Sequence, residues 1–314
     1  MSGSAVADAS AIGSLMIPWH RRLGYPPAFS AATLAAAATI DILIPPSIPM
    51  ILFALSANAS IAALFVAGIV PGLLMCAGFM GVCWWVGRRR GFPRDTTPFA
   101  WPAFRRHLLY ASPALLLPVL IIVFLRFGIA TPTEVAVLST LYAGLVSAAI
   151  YRDLGWRRLN DAVVHAGLAT GVVLLVIMAS SAIGWLLTFD RMPDGIVQWV
   201  QSHVHSAWLV IVLMNLLMLF IGMFIDLPAA VLLLTPVFVP LAQSIGMDMT
   251  QLGIMMVVNL ALGLYTPPVG TTLFITSSLA RVKVGQTVRE LIPFYLVALA
   301  VLALVSYVPA SILR

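Results

Sequence analysis

Leu264-Tyr265-Thr266-Pro267-Pro268-Val269-Gly270 and, earlier in the chain, Leu43-Ile44-Pro45-Pro46-Ser47-Ile48-Pro49 interrupt otherwise apolar sequence, and they decide the fold. A Pro-Pro pair removes two backbone donors and pushes the residue before it away from helix. Each pair therefore opens a helix in mid-course and leaves carbonyls without intrahelical partners. At membrane depth such backbone is tolerated only where it is buried in protein or lines a cavity. A single break is a common kink. Two in matching positions point to a transporter binding site built from discontinuous helices.

The match is arithmetic. Adding 222 carries Pro18 onto Pro240, Gly24 onto Gly246, Pro45 and Pro46 onto Pro267 and Pro268, and Pro71 onto Pro293, without a gap. Overall identity between the two halves is low. The residues that recur are those that mark breaks and turns, so the repeat is one of architecture.

Composition fixes the solvent. Hydrophobic residues make up 61% of the 314 and charged residues 9%, with a mean hydropathy of +1.05. That excludes a soluble domain and gives an all-α polytopic membrane protein. The net charge of +6 comes from arginines, with Lys283 the only lysine. A pI near 9.8 would suggest nucleic acid in a soluble protein. Here the arginines gather in short loops, as cytoplasmic loops of membrane proteins do. Cys76 and Cys83 lie on one apolar helix and read as packing residues.

Along the chain, Ser2–Asp8 opens a stretch too short to span, followed by a basic loop at His20-Arg21-Arg22. Residues 28–58 form the first broken helix. Spans are expected at 61–86, 107–125, 135–151, 162–189 and 291–313, with an interfacial helix over 190–205. Thr131-Pro132-Thr133-Glu134 reads as an N-terminal capping box. Residues 207–225 and 229–242 read as the two arms of a re-entrant hairpin with Asp226 at its tip, and 251–280 as the second broken helix. Counting spans puts the basic loops 20–22, 88–106, 152–158 and 281–289 on one side, the cytoplasmic one. Loop 244–250, counterpart of 20–27, carries Asp248 and no Lys or Arg, so it faces outward. The two repeats are therefore inverted.

Asp226 is an ionisable group near the bilayer centre, where charge is costly and marks function by default. It also stands where an N-cap is needed, and both roles are compatible. A carboxylate, hydroxyls and freed carbonyls are the hard oxygen ligands that suit Na⁺. Ser2, Ser4 and Asp8 form the corresponding tip of the first repeat, with Ser4 falling on Asp226 at the 222 offset. Helix N-termini at both tips offer partial positive charge to an anionic substrate. Thr266, Thr271, Thr272 and Ser47 add hydroxyls beside the breaks. Asn259 faces either the same cavity or the packed interior.

These residues resemble the large membrane subunit of TRAP transporters, the DctM-like family. The resemblance rests on Ser2–Asp8, Ile12–Pro18 with Gly24-Tyr25, Ile44–Pro49, Thr131–Glu134, Gly222–Pro228 and Asn259–Gly270, and it covers essentially the whole chain. It implies an inverted-repeat elevator fold with two re-entrant hairpins and Na⁺-coupled uptake of an organic acid such as a C4-dicarboxylate or sugar acid. It also implies a small membrane subunit, a periplasmic binding protein and a place in the bacterial inner membrane. Na⁺ is expected at Ser2, Ser4, Asp8, Asp226 and Thr266, and the substrate at Pro45, Pro46, Ser47, Pro267, Pro268, Gly270 and Thr271. Asp41 stands where the family pattern has glycine, and either alters ion coupling or pairs with a neighbour.

The expected division is a transport domain of 1–87 and 206–314 around scaffold helices 88–205. Subtracting 222 from residues 107–225 places their first-repeat counterparts before Met1 to Gly3, so about 115 preceding residues are expected. A stand-alone Na⁺/dicarboxylate symporter would share the breaks. An enzyme would not: the chain has no His-Glu-x-x-His, no Gly-x-Ser-x-Gly and no paired aspartates on spanning helices. There is no phosphate-binding Gly-x-x-x-x-Gly-Lys loop either, so ATP does not drive this chain, and no cofactor is expected beyond the coupling ion.

Overall fold

The computed structural model describes residues 3–93, 100–204 and 206–309. Among them the regular structure is helical throughout, with thirteen α-helices and six segments long and apolar enough to cross a membrane. The chain is thus an all-α polytopic membrane protein.

One compact unit comprises residues 1–93 and 179–314, the other residues 94–178. The smaller unit holds α5 (Trp101–Arg126), α6 (Pro132–Leu145) and the first two-thirds of α7 (Trp156–Phe189). The capping box that starts α6 is present: Glu134 Nα donates to Thr131 Oγ1, and the Glu134 carboxylate accepts from Thr131 N at 2.7 Å. Inside α5, Pro113 lacks the N–H that would reach Leu109 O. The Ser112 hydroxyl supplies that bond instead at 2.8 Å, so the span continues through the proline.

The larger unit carries both repeats. Its first half is α1 (Ala5–Arg22), α2 (Pro27–Ala37), α3 (Ile48–Ala57) and α4 (Ile61–Arg90). After α8 (Met192–His203) and α9 (Ala207–Gly222) come α10 (Leu227–Ser244), α11 (Met249–Gly263), α12 (Thr271–Ala280) and α13 (Val284–Tyr307). Adding 222 to both ends of α1 gives both ends of α10. Gly24 and Gly246 share left-handed backbone, φ 84° and 70°, and both Pro-Pro bonds are cis. His20-Arg21-Arg22, read from sequence as a loop, is the last turn of α1. Cationic side chains there complement the carbonyl end of the helix dipole, so the basic run extends the helix.

Packing exchanges the repeats. α1 lies on α12, and α10, the counterpart of α1, lies on α3, the counterpart of α12. Likewise α2 packs on α13 and α11 on α4. One such seam buries Ile17, Ala31, Leu34 and Ala280, flanked by Met16 and Val282. A ladder of rings, Phe29–Phe92, Phe29–Phe294 and Phe79–Phe294, ties α2, α4 and α13 near the basic end of α1. There Arg90 and Glu290 pair at 2.8 Å.

Candidate functional site

Each repeat presents a tip and a break. The first break opens after a short 3-10 turn at Ala38–Ile40 and closes where Ser47 caps α3. The Ser47 hydroxyl accepts from Met50 N at 3.4 Å and donates to Ile42 O at 2.5 Å. The second break lies between Gly263 and Thr271. There Thr266 Oγ1 donates to Leu262 O at 2.6 Å, Tyr295 Oη to Tyr265 O at 2.7 Å, and both N and Oγ1 of Thr272 to Leu264 O at 2.9 Å. Much of the carbonyl set expected to be bare is therefore engaged. Unpaired backbone polar groups cost several kcal/mol in hydrocarbon, so the nearest hydroxyls fold back on them. Ser47 and Thr266 use their protons on the backbone, which leaves only oxygen lone pairs for any ligand.

The tips reach these breaks. Residues 223–226 turn α9 into α10, and Val269 N donates to Met223 O at 3.1 Å. A Cβ on Gly263 would strike the backbone of Gly222, so glycine at 263 is what lets the tip seat. At the first tip Gly3, with φ 67°, lies against Pro46 O and Ile48 N, and Ser4 N donates to the Asp41 carboxylate at 3.1 Å. Ser4 caps α1, and Asp8 sits in its first turn. Asp226 stands at the N-cap of α10 and its side chain makes no capping hydrogen bond. Asp248, at the start of α11, does cap, accepting from Thr250 N and Gln251 N at 2.9 and 3.2 Å.

Two cavities lie where tips and breaks meet. One, of about 50 Å³, is lined by Gly3, Ser4, Ala5 and Val6, by Ile42, Ile48 and Pro49, by Asp226, Leu227 and Pro228, and by Leu264. Both tips, both breaks and the N-termini of α1, α3 and α10 thus share one space. The other, of about 10 Å³, runs under the second tip from Gly222 to Asp226 and is closed by Gly263, Leu264, Val269, Gly270 and Thr271. That is the room one water or a small ion needs. The buried Thr271 Oγ1 on its wall has no hydrogen-bond partner in the described structure. A larger cavity of about 550 Å³, between Arg191 and Gln243, lies near the far end of α10, roughly 25 Å along the helix from Asp226. It has no part in the junction.

Of the residues singled out from sequence, Ser4 and Asp226 meet in the first cavity, and Asp226, Gly270 and Thr271 in the second. Pro45, Pro46, Ser47, Thr266, Pro267 and Pro268 shape the breaks without lining either cavity. Ser2 lies outside the described residues. Asn259 takes the packed alternative: its Nδ2 donates to Asn215 O and Oδ1 at 2.9 and 2.8 Å, and Asn215 in turn to Ser306 Oγ. Sequence reading missed Gly3, Ile42, Ile48 and Leu264. The only signal was their adjacency to tip or break, for apolar wall residues carry no chemistry of their own.

Comparison with known proteins agrees with this architecture. Residues 1–311 match the family described as the tripartite ATP-independent periplasmic transporter, DctM component. The chain is 56% identical over 310 residues to the uncharacterized protein y4mL of Sinorhizobium fredii, covering 99% of this chain and 74% of the relative. It is 37% identical to the isethionate TRAP transporter permease protein DctMQ of Oleidesulfovibrio alaskensis, over 99% of this chain and 49% of the relative. It is 36% identical to the C4-dicarboxylate TRAP transporter large permease protein DctM of Pseudomonas aeruginosa, over 99% of this chain and 72% of the relative. The chain belongs to the DctM family: it is a TRAP large permease, not an enzyme, and a multi-pass protein of the bacterial inner membrane.

Proposed function

We propose that this DctM permease couples the uptake of a small organic acid to Na⁺, and that both bind where the tips meet the breaks. The observation that carries the reading is the shared cavity with Asp226 on its wall. Three helix N-termini favour the carboxylate or sulfonate of an organic acid. The Asp226 side chain, unused as a cap, and the unpartnered Thr271 hydroxyl favour a cation beneath it. Size separates the roles. Pockets that enclose a whole ligand run to about 300–1,000 Å³, so this junction takes ions and an acid headgroup only. Relatives named for isethionate and for C4-dicarboxylates share that headgroup chemistry.

A small membrane subunit and a periplasmic binding protein complete the system in this reading, and membership of a tripartite family favours it over a stand-alone symporter. The carrier motion is a displacement of residues 1–87 and 206–314 against 88–205, since both tips and both breaks belong to the first set. The test is uptake of labelled organic acids into vesicles containing the complete system. An inward Na⁺ gradient should drive accumulation and an equal K⁺ gradient should not. Equal uptake under both would overturn Na⁺ coupling.

A further inference from the structure

The two repeats differ at one chemically decisive pair of positions. At the 222 offset, the tip residue Ser4 corresponds to Asp226, and the break residue Asp41 corresponds to Gly263. In the second repeat the carboxylate is on the tip and the break carries glycine. In the first the carboxylate is on the break and the tip carries serine. The residues come together in each case: Asp226 and Gly263 line one cavity, and the Asp41 carboxylate accepts from Ser4 N at 3.1 Å. The correspondence extends to the walls. Ser4, Ile42, Ile48 and Pro49, counterparts of Asp226, Leu264, Gly270 and Thr271, all line the shared cavity. At these aligned positions each repeat thus carries one carboxylate, contributed from opposite sides, with Asp8 a turn further along α1 in the first tip.

We propose that Asp41 is a cation-selecting residue of the transport site, giving the first tip–break contact the negative charge that Asp226 gives the second. The inference rests on the Na⁺-coupled reading above. A carboxylate has about four lone-pair positions, and the Ser4 N–H takes one of them. The same bond holds the Asp41 carboxylate against the first tip, one residue before Ile42 on the wall of the shared cavity, although Asp41 itself lines neither cavity. With a carboxylate at both contacts, the junction favours two monovalent cations, and an organic anion approaches a neutralised site.

The experiment is a Na⁺ titration of the full chain purified with its small membrane subunit in lipid nanodiscs, at constant ionic strength with choline. Melting temperature and tryptophan fluorescence are followed for wild type, Asp41→Asn, Asp41→Gly, Asp41→Glu and Asp226→Asn. Wild type should respond to Na⁺ with a Hill coefficient above one. Asp41→Asn and Asp41→Gly should raise the half-saturating Na⁺ by about tenfold or more and bring the coefficient towards one. Asp41→Glu, which keeps the charge, should recover part of the affinity. A purely structural Asp41 would lower the melting temperature equally at every Na⁺ concentration and leave half-saturation unmoved, which would overturn the proposal. If wild type ignores Na⁺, the coupling reading itself fails and this inference with it. If wild type and Asp226→Asn differ while Asp41→Asn matches wild type, only the role of Asp41 is lost. Because glycine occupies the equivalent place in the second repeat, Asp41→Gly provides a variant the architecture already accommodates.

Discussion

Thr272, one residue into the helix after the second break, donates its hydroxyl to Ala35 O on α2 at 3.3 Å, across 237 positions of sequence. The same hydroxyl reaches Leu264 O at 2.9 Å, and the side chain is fully buried. One oxygen therefore closes a break and joins the repeats. Thr272→Val keeps the shape and removes both bonds. Interhelical hydrogen bonds in membrane proteins average about 0.6 kcal/mol and reach about 1.7. The variant should unfold in detergent with a loss of about 1 kcal/mol, read as a lower melting temperature. An unchanged melting curve would show that the bridge contributes nothing.

Asp226 and Asp248 are both N-cap aspartates, and only Asp248 caps with its side chain. Asp248→Ala should cost about 1 kcal/mol of stability, the usual worth of an N-cap, and leave Na⁺ dependence alone. Asp226→Asn should do the reverse, abolishing most Na⁺-driven uptake in vesicles while melting close to wild type. Loss of stability with retained Na⁺ response in Asp226→Asn would contradict this assignment.

Gly263→Ala places a methyl group against the backbone of Gly222, which cannot yield as a flexible side chain would. Overpacking of this kind costs about 1–3 kcal/mol. The second tip should lift from its break, so uptake falls sharply and protease access at 223–226 rises. Gly285→Ala, with nothing near its Cβ, serves as the control and should behave as wild type.

His20 packs between Trp19 and Tyr25, with its Nδ1 buried and unpartnered in the described structure. Burial lowers its pKa below the usual 6.5. The folded state therefore binds this proton less readily than the unfolded chain does. Its contribution to stability is present above pH 6.5 and is lost as pH falls through the folded value. Melting temperature should drop on acidification below that point, and His20→Gln should flatten the dependence. An identical pH profile in the variant would remove His20 as the cause.

Disulfide crosslinks engineered between residues 1–87 or 206–314 and residues 88–205 should arrest uptake, with recovery on reduction, if the first set moves as a carrier. Full-rate uptake in the crosslinked state would show that the division is wrong.

The breaks and their register were legible from the chain because proline and glycine impose backbone geometry wherever they stand, so Pro45–Pro46 and Pro267–Pro268 announced themselves. The N-cap positions of Ser4 and Asp226 followed from the same offset. The partner of each hydroxyl was not legible. Ser47, Thr266 and Thr272 read equally well as ligands or as backbone partners, and only the fold shows that their protons go to Ile42, Leu262 and Leu264. Asn259 was ambiguous for the same reason: its partner Asn215 lies 44 positions away. The exchange of α1 and α10 between repeats left no trace in sequence, because Ile17 and Ala280 are ordinary apolar residues that pack wherever a complementary surface is offered.

That exchange sets a timetable for biogenesis. The surface of α1 that rests on α12 has to wait, during synthesis, for roughly 250 further residues, which at about 5–20 residues per second is on the order of 10–50 s. Through that interval the first half of the chain is without α12, with Asp41 already in place. Insertion factors or early-arriving partner subunits have their longest opportunity to act on this half of the chain. Substitutions along α1 and α2 should therefore show up as reduced yield of inserted protein, whereas equivalent changes in α10 and α11 meet partners that are already waiting.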